Sequence, residues 1–295
     1  MLNVLHEAGA VTEVFETGHG RTAGTRATQA EAEGFDAIVV CGGDGTIFDV
    51  LQGLAGSRVP LGIIPFGTGN VLAQNLKVPL NAAAAARSLF RSHPISVELG
   101  RITCCAPEGR QAWLFAMSAG MGLHAALMSE ARRSGKNVTG RAAYFAAGGR
   151  LLLNHPVQPF EIEVTTSEGV CTREEVCEAI VVKVAELNRW RPGGGLELPS
   201  LRLATVEGSG RSRLARAAYE ALFRGDGARE NLQKPDAAAR YRDVLRVVCR
   251  PIAGRAYQPA LAVQADGEVL SAACADIEMS GQSVLLLSNQ TATGA

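Results

Sequence analysis

The sequence has no excess charge of either sign: 29 basic and 29 acidic residues cancel over 295 positions. Without a global field there is nothing to recruit nucleic acid, and contact with an anionic membrane has to be local and transient. Apolar runs of membrane-spanning length are absent too, and the opening MLNVLHEAGA lacks a basic segment followed by a long apolar core. The expected location is therefore cytoplasmic, with the inner membrane surface as the place of any peripheral contact. Seven cysteines, Cys41, Cys104, Cys105, Cys171, Cys177, Cys249 and Cys274, are odd in number and show no CxxC spacing. That argues against a zinc site and against a disulfide framework, so they are expected to be reduced and buried. No histidine belongs to an HExxH pattern, and neither an internal repeat nor a low-complexity linker interrupts the chain.

The sequence does have enough apolar material, 47% of its residues, for two globular domains with real cores. Its organising stretch is Ala37 to Asp49, AIVVCGGDGTIFD. Four apolar residues, Ala37 to Val40, read as a strand buried on both faces, and they run into Gly42-Gly43-Asp44-Gly45-Thr46. Ile47, Val50, Leu51 and Leu54 recur at helical spacing, with Thr46 as N-cap and Asp49 as its capping-box partner. A strand handing over to a helix N-terminus through glycines offers unpaired N–H groups and a favourable dipole to an anion. The bland alternative is a sharp turn. Asp44 weighs against it, because a carboxylate beside a phosphate requires a cation or a donor between them, as in phosphoryl transfer.

Taken in order, residues 2 to 9 read as the end of a helix, Val11 to Thr17 as a strand, Ala23 to Ala32 as a helix, and Ala37 to Cys41 with Ile47 to Ala55 as strand and helix. An α/β domain that opens on a helix is missing the strand which that helix covers. Leu61 to Ile64 is a second buried strand, again ending in glycines, Pro65-Phe66-Gly67-Thr68-Gly69-Asn70, with Asn70 as N-cap of a helix to about Lys77 and a further helix over Asn81 to Phe90. In a parallel sheet both loops lie at the carboxyl ends of their strands, where ligands bind.

After His93-Pro94 the pattern becomes one of short, mostly antiparallel strands: Ile95–Ile102, Trp113–Ala119, Phe160–Thr165, Glu178–Ala185, Leu201–Val206, Val244–Cys249, Leu261–Ala265 and Ser283–Ser288. Helices are expected near Ala125 to Ser134, Arg141 to Asn154 and Leu214 to Phe223. The fold class is thus α/β plus β, with a Rossmann-like nucleotide-binding domain over 1–95 that lacks its first strand, and a β-sandwich domain over 96–289, in which the family resemblance described next implies a lipid pocket. The last strand is free to return to the first domain, and 290–295 is a tail.

GGDGT at 42–46 and PFGTGNVLA at 65–73, followed in order by SAGMG at 118–122, GRAAY at 140–144, GGG at 193–195 and ADGE at 265–268, resemble the diacylglycerol kinase catalytic domain family, which includes bacterial lipid kinases and sphingosine kinases. The resemblance implies a lipid kinase that uses ATP and Mg2+. It places the nucleotide phosphates on Gly42, Gly43, Asp44, Gly45 and Thr46, adds Gly67, Thr68, Asn70 and Thr17, links Asp44 to the metal, and makes Glu268 the general base toward a lipid hydroxyl. The acceptor would be a diacylglycerol-like or sphingoid lipid, and a homodimer is left open. From spacing alone Asp266-Gly267-Glu268 reads equally well as an exposed hairpin turn.

Several positions depart from the family pattern. The first strand and its Asn-Pro phosphate loop are missing, Val71 follows the GTGN asparagine, Glu98 stands where the family has an acidic residue, and Leu198-Pro-Ser-Leu-Arg-Leu203 has no carboxylate for a structural magnesium site. They motivate a second reading, a nucleotide-binding protein without catalysis. An NAD kinase-like reading shares only GGDGT. The segment Arg211 to Arg224 reads either as a basic amphipathic helix for anionic lipid or as a solvated helix face, with the solvated face favoured. Arg132, Arg133, Lys136 and Arg141 are not assigned.

Overall fold

The computed structural model describes residues 1–18, 20–106, 109–126, 128, 157–184, 186–187, 191–192, 195–208, 210–223, 237–252, 262–270 and 274–290. GRAAY, most of GGG, the expected helix over 141–154, most of the one over 125–134 and the basic cluster at 132–141 lie outside those residues. The chain divides into two units, one of residues 1–99 with 281–295 and one of 100–280.

Unit 1 contains α1 (Leu2–Glu7), α2 (Ala23–Ala32), β1 (Ile38–Gly42), α3 (Asp44–Leu54), β2 (Leu61–Pro65), α4 (Val71–Asn75) and α5 (Ala82–Leu89). β1 and β2 are parallel, in register from Ile38 opposite Leu61 to Gly42 opposite Pro65. Every residue of β2 is buried, which is why the run is uniformly apolar rather than alternating. α3 turns Ile47, Phe48, Val50, Leu51 and Leu54 inward, the stripe that its 3.6-residue spacing anticipated. α5 is capped by Asn81, whose Oδ1 accepts from Ala84 N at 3.1 Å.

Three local expectations fail here. α3 starts at Asp44 with Gly43 as N-cap, three residues before the expected N-cap Thr46. Asp49, expected to close a capping box on its own helix, faces α2 instead: its Oδ2 accepts from Ala23 N at 2.8 Å and Gly24 N at 3.4 Å. The carboxylate therefore satisfies the orphan donors of a neighbouring helix, a long-range cap that local spacing does not reveal. Val11 to Thr17 is not a strand. It pairs with no strand among the described residues, and Val11 and Val14 are 99% and 62% exposed. Alternation gives a segment the capacity for β-structure, but a ladder needs an adjacent edge to bond with.

Unit 2 is mostly antiparallel. Its strands are the second half of β3 (His93–Ala106), β4 (Gly109–Phe115), β5 (Ser118–Gly122), β6 (Phe160–Thr166), β7 (Cys171–Val182), β8 (Glu186–Leu187), β9 (Arg191–Pro192), β10 (Leu201–Glu207), β11 (Arg240–Arg250), β12 (Val263–Ala265), β13 (Glu268–Leu270) and the first half of β14 (Cys274–Ser288). Its helix α6 spans Arg211–Phe223. β7 pairs with β6 over one half and β10 over the other, and β11 does the same, so these four strands close a ring. Phe160, Ile162 and Val164 of β6 alternate inward and are fully buried. The unit boundaries fall inside β3 and β14, and residues 281–288 of β14 belong to unit 1, where Leu286 pairs with Leu61 in parallel.

Three further corrections arise in unit 2 and the cysteines. The expected strand Trp113–Ala119 is two strands, β4 and β5, interrupted at Ala116 and Met117. The cysteines are not all reduced: Cys105 and Cys274 form a disulfide across 169 positions. Nor are the free ones all buried, since Cys41 and Cys171 are exposed. β3 and β14 bring the bonded pair together from opposite ends of the unit, which no short-range spacing rule captures.

Candidate functional site

The two glycine loops of unit 1 are packed backbone against backbone. Phe66 N donates to Gly42 O at 2.9 Å, tying the end of β2 to the end of β1. A Cβ on Gly67 would stand 2.7 Å from Gly43 Cα and 2.8 Å from Asn70 Oδ1, so this approach is open only to glycine. Asn70 occupies the N-cap position of α4 at φ 48° but makes no capping bond. Its amide turns back on the loop instead, Oδ1 accepting from Gly67 N at 2.9 Å and Nδ2 donating to Gly67 O at 2.6 Å. Gly67 and Asn70 thus form a closed clamp, while Thr68 and Gly69 stay exposed. Gly43 caps α3 with no side chain, which leaves the first turn of an eleven-residue helix accessible to an anion.

Asp44 stands at the centre of this arrangement. Burial pushes its carboxyl above the usual aspartate range, against the opposing pull of the Val71, Leu72 and Asn70 N–H groups at the start of α4. A Cβ on Gly69 would come within 2.8 Å of Asp44 Oδ2. Asp44 Oδ1, by contrast, is buried and has no hydrogen-bond partner among the described residues. A buried carboxylate oxygen without a donor is costly unless a cation or a ligand donor meets it. No cluster of three or more metal-ligating side chains occurs among the described residues. A hard cation that takes one carboxylate, phosphate oxygens and water fits such a donor set. The residues present therefore fit a nucleotide-borne Mg2+.

Thr17 and Thr46 are brought together as lining residues of one cavity of about 310 Å³, which also touches Cys41 and the inner side of α2. Its lining is largely apolar and includes Val11, Phe15 and Val39.

In unit 2, Asp266-Gly267 forms the turn between β12 and β13, with φ of 49° and 83°. The hairpin reading is correct in its backbone and wrong in its exposure, because Asp266 is only 5% exposed. Its Oδ2 accepts from Ala116 N at 2.8 Å, and its Oδ1 accepts from Met117 N at 2.8 Å and Ser118 N at 2.9 Å. These are the donors freed where β4 breaks from β5. Asp266 N donates in return to Ser118 O at 2.7 Å, and Gln264 Oε1 accepts from Gly267 N at 2.9 Å. Glu268 follows on this anchored turn, partly exposed at the start of β13.

Sequence reasoning missed the anchoring role of Asp266; its only signal was an Asp-Gly pair with no compensating reason to be exposed. Glu98, which stands where the family has an acidic residue, accepts from Gly281 N at 3.1 Å. On α6, Leu214 is buried with Cys177 and Val206, and Arg211 and Arg213 are exposed. Ala217 packs against the same cluster, so the described apolar residues of α6 are used within unit 2.

Residues 1–102 match the diacylglycerol kinase catalytic domain. A diacylglycerol kinase of Mycobacterium tuberculosis is 47% identical over 74 residues, 25% of this chain and 24% of that protein. A diacylglycerol kinase of Staphylococcus saprophyticus is 32% identical over 100 residues, 33% of each chain. The aligned stretches thus span a third or less of these relatives' length. A solved diacylglycerol kinase structure from Bacillus anthracis superposes with a TM-score of 0.69 at 21% identity, covering 98% of this chain and 90% of that one. At that identity the likeness shows a shared fold. No helix among the described residues is long and apolar enough to cross a membrane.

Proposed function

From a diacylglycerol kinase catalytic domain match over residues 1–102 as premise, we propose that the protein is an ATP-dependent lipid kinase that phosphorylates a hydroxyl of a diacylglycerol-like or sphingoid lipid. The observation that carries this reading is Asp44, a carboxylate with one buried and unpartnered oxygen, set among two closely packed glycine loops. In this reading Gly42, Gly43, Gly45, Thr46, Gly67 and Thr68 contact the phosphates, Asn70 holds the second loop in shape, and Thr17 lies at the edge of the nucleotide. Asp44 Oδ1 would hold Mg2+, which would supply neutralisation of charge on the transferring phosphoryl group.

Glu268 takes the proton of the lipid hydroxyl as its oxygen attacks the γ-phosphorus. The bond from that phosphorus to the bridging oxygen breaks, and ADP leaves. The lipid is presented at a membrane surface that the protein touches transiently.

The test is ATP consumption against a panel of hydroxyl lipids, with Glu268→Gln in parallel. Wild type is expected to phosphorylate at least one class, and the variant to lose about two to four orders of magnitude in turnover while still binding ATP. Near-normal turnover by Glu268→Gln would remove the general-base assignment. ATP binding by wild type with no lipid turned over would favour a non-catalytic nucleotide binder.

A further inference from the structure

Phe66 is the most exposed aromatic side chain among the described residues, at 60%. A single exposed apolar side chain is ordinary on a protein surface. This one is not on a loose loop tip. Its own N–H is bonded to Gly42 O at 2.9 Å, and the next residue, Gly67, is held by Asn70 through both its N–H and its carbonyl. The ring is therefore exposed on a backbone fixed from both sides, within the second glycine loop.

A ligand whose phosphates rested on those loops would carry its remaining groups into the surroundings of Phe66, the exposed ring of the second loop. For a nucleotide this includes a flat base, and stacking of a base on an aromatic face tolerates any base identity. An aliphatic chain gains less from a rigid, flat, single ring than from an enclosed groove. We propose that Phe66 is the stacking platform for the base of the nucleotide, and so a residue that selects a nucleoside triphosphate over an inorganic one. This rests on the reading of the unit 1 loops as an ATP site.

The experiment is calorimetric titration of the full chain with ATP and, separately, with inorganic tripolyphosphate, which carries the charge without the base. Phe66→Ala is expected to weaken ATP binding roughly tenfold and leave tripolyphosphate binding unchanged. Phe66→Trp is expected to keep ATP affinity and to show a fluorescence change, absent from wild type, with ATP but not with tripolyphosphate.

Equal ATP affinity in wild type and Phe66→Ala overturns the proposal. So does an equal loss for both ligands, which would assign Phe66 to the shape of the loop. An unchanged ATP affinity with a raised KM for long-chain lipid would overturn it in favour of an acyl-chain contact. Absence of ATP binding to wild type would be a different failure, that of the kinase reading, and would remove the platform with it.

Discussion

Asp44 in unit 1 and Asp266 in unit 2 are both motif aspartates flanked by glycine, and each faces three consecutive backbone N–H groups, those of residues 70–72 and 116–118 respectively. The difference lies in the second oxygen. Asp266 commits both oxygens to the backbone, whereas Asp44 leaves Oδ1 buried and unpartnered. A carboxylate whose two oxygens are both engaged by the fold is a structural anchor. One with a spare buried oxygen carries a desolvation cost that a proton or a ligand relieves. Local sequence makes the two look alike, and the hydrogen-bond census separates them.

The comparison breaks most visibly at Asp44. Asp44→Asn is expected to lower lipid phosphorylation by about 4 kcal/mol of barrier, roughly a thousandfold, because the metal-facing charge is gone. Its stability should move the other way. A carboxyl raised above its unfolded value stabilises the fold below the unfolded pKa, and that contribution is lost as pH rises through the folded one. At pH 7 the variant should therefore melt at or above the wild-type temperature in differential scanning calorimetry. A clear drop in Tm would make Asp44 an anchor like Asp266.

Asp266→Asn is expected to cost about 3 kcal/mol in urea unfolding, since an amide can accept from only one side and leaves buried N–H groups unmet. Unchanged stability would show that the 116–118 donors find other partners. Asp49→Ala gives the smallest effect. Loss of its long-range cap on α2 should cost about 1 kcal/mol in the same measurement, with ATP affinity unaltered. A variant as stable as wild type would mean that Ala23 and Gly24 are satisfied without it.

Where the determinants of structure are local, the sequence revealed them. α2 falls on Ala23–Ala32 as expected, and β2 extends the expected Leu61–Ile64 by one residue, because a helical stripe or a short doubly buried run is encoded within its own span. Both glycine loops were legible for the same reason. What escaped was set by partners distant in sequence. Val11–Thr17 reads as a strand but pairs with none among the described residues. Asp49 was given to its own helix and serves another, 26 positions away. The break between β4 and β5 is stabilised by a carboxylate some 150 positions later. Glu268 was expected as general base from family resemblance, and spacing alone left its turn equally open to an exposed hairpin, because the buried use of Asp266 depends on those same distant donors.

The Cys105–Cys274 bond closes a ring of chain that encloses nearly all of unit 2. A protease that severs one peptide bond anywhere between residues 106 and 273 thus releases no separate piece. The nicked molecule would migrate as a single band on a denaturing gel until a reductant is added, and only then fall into two.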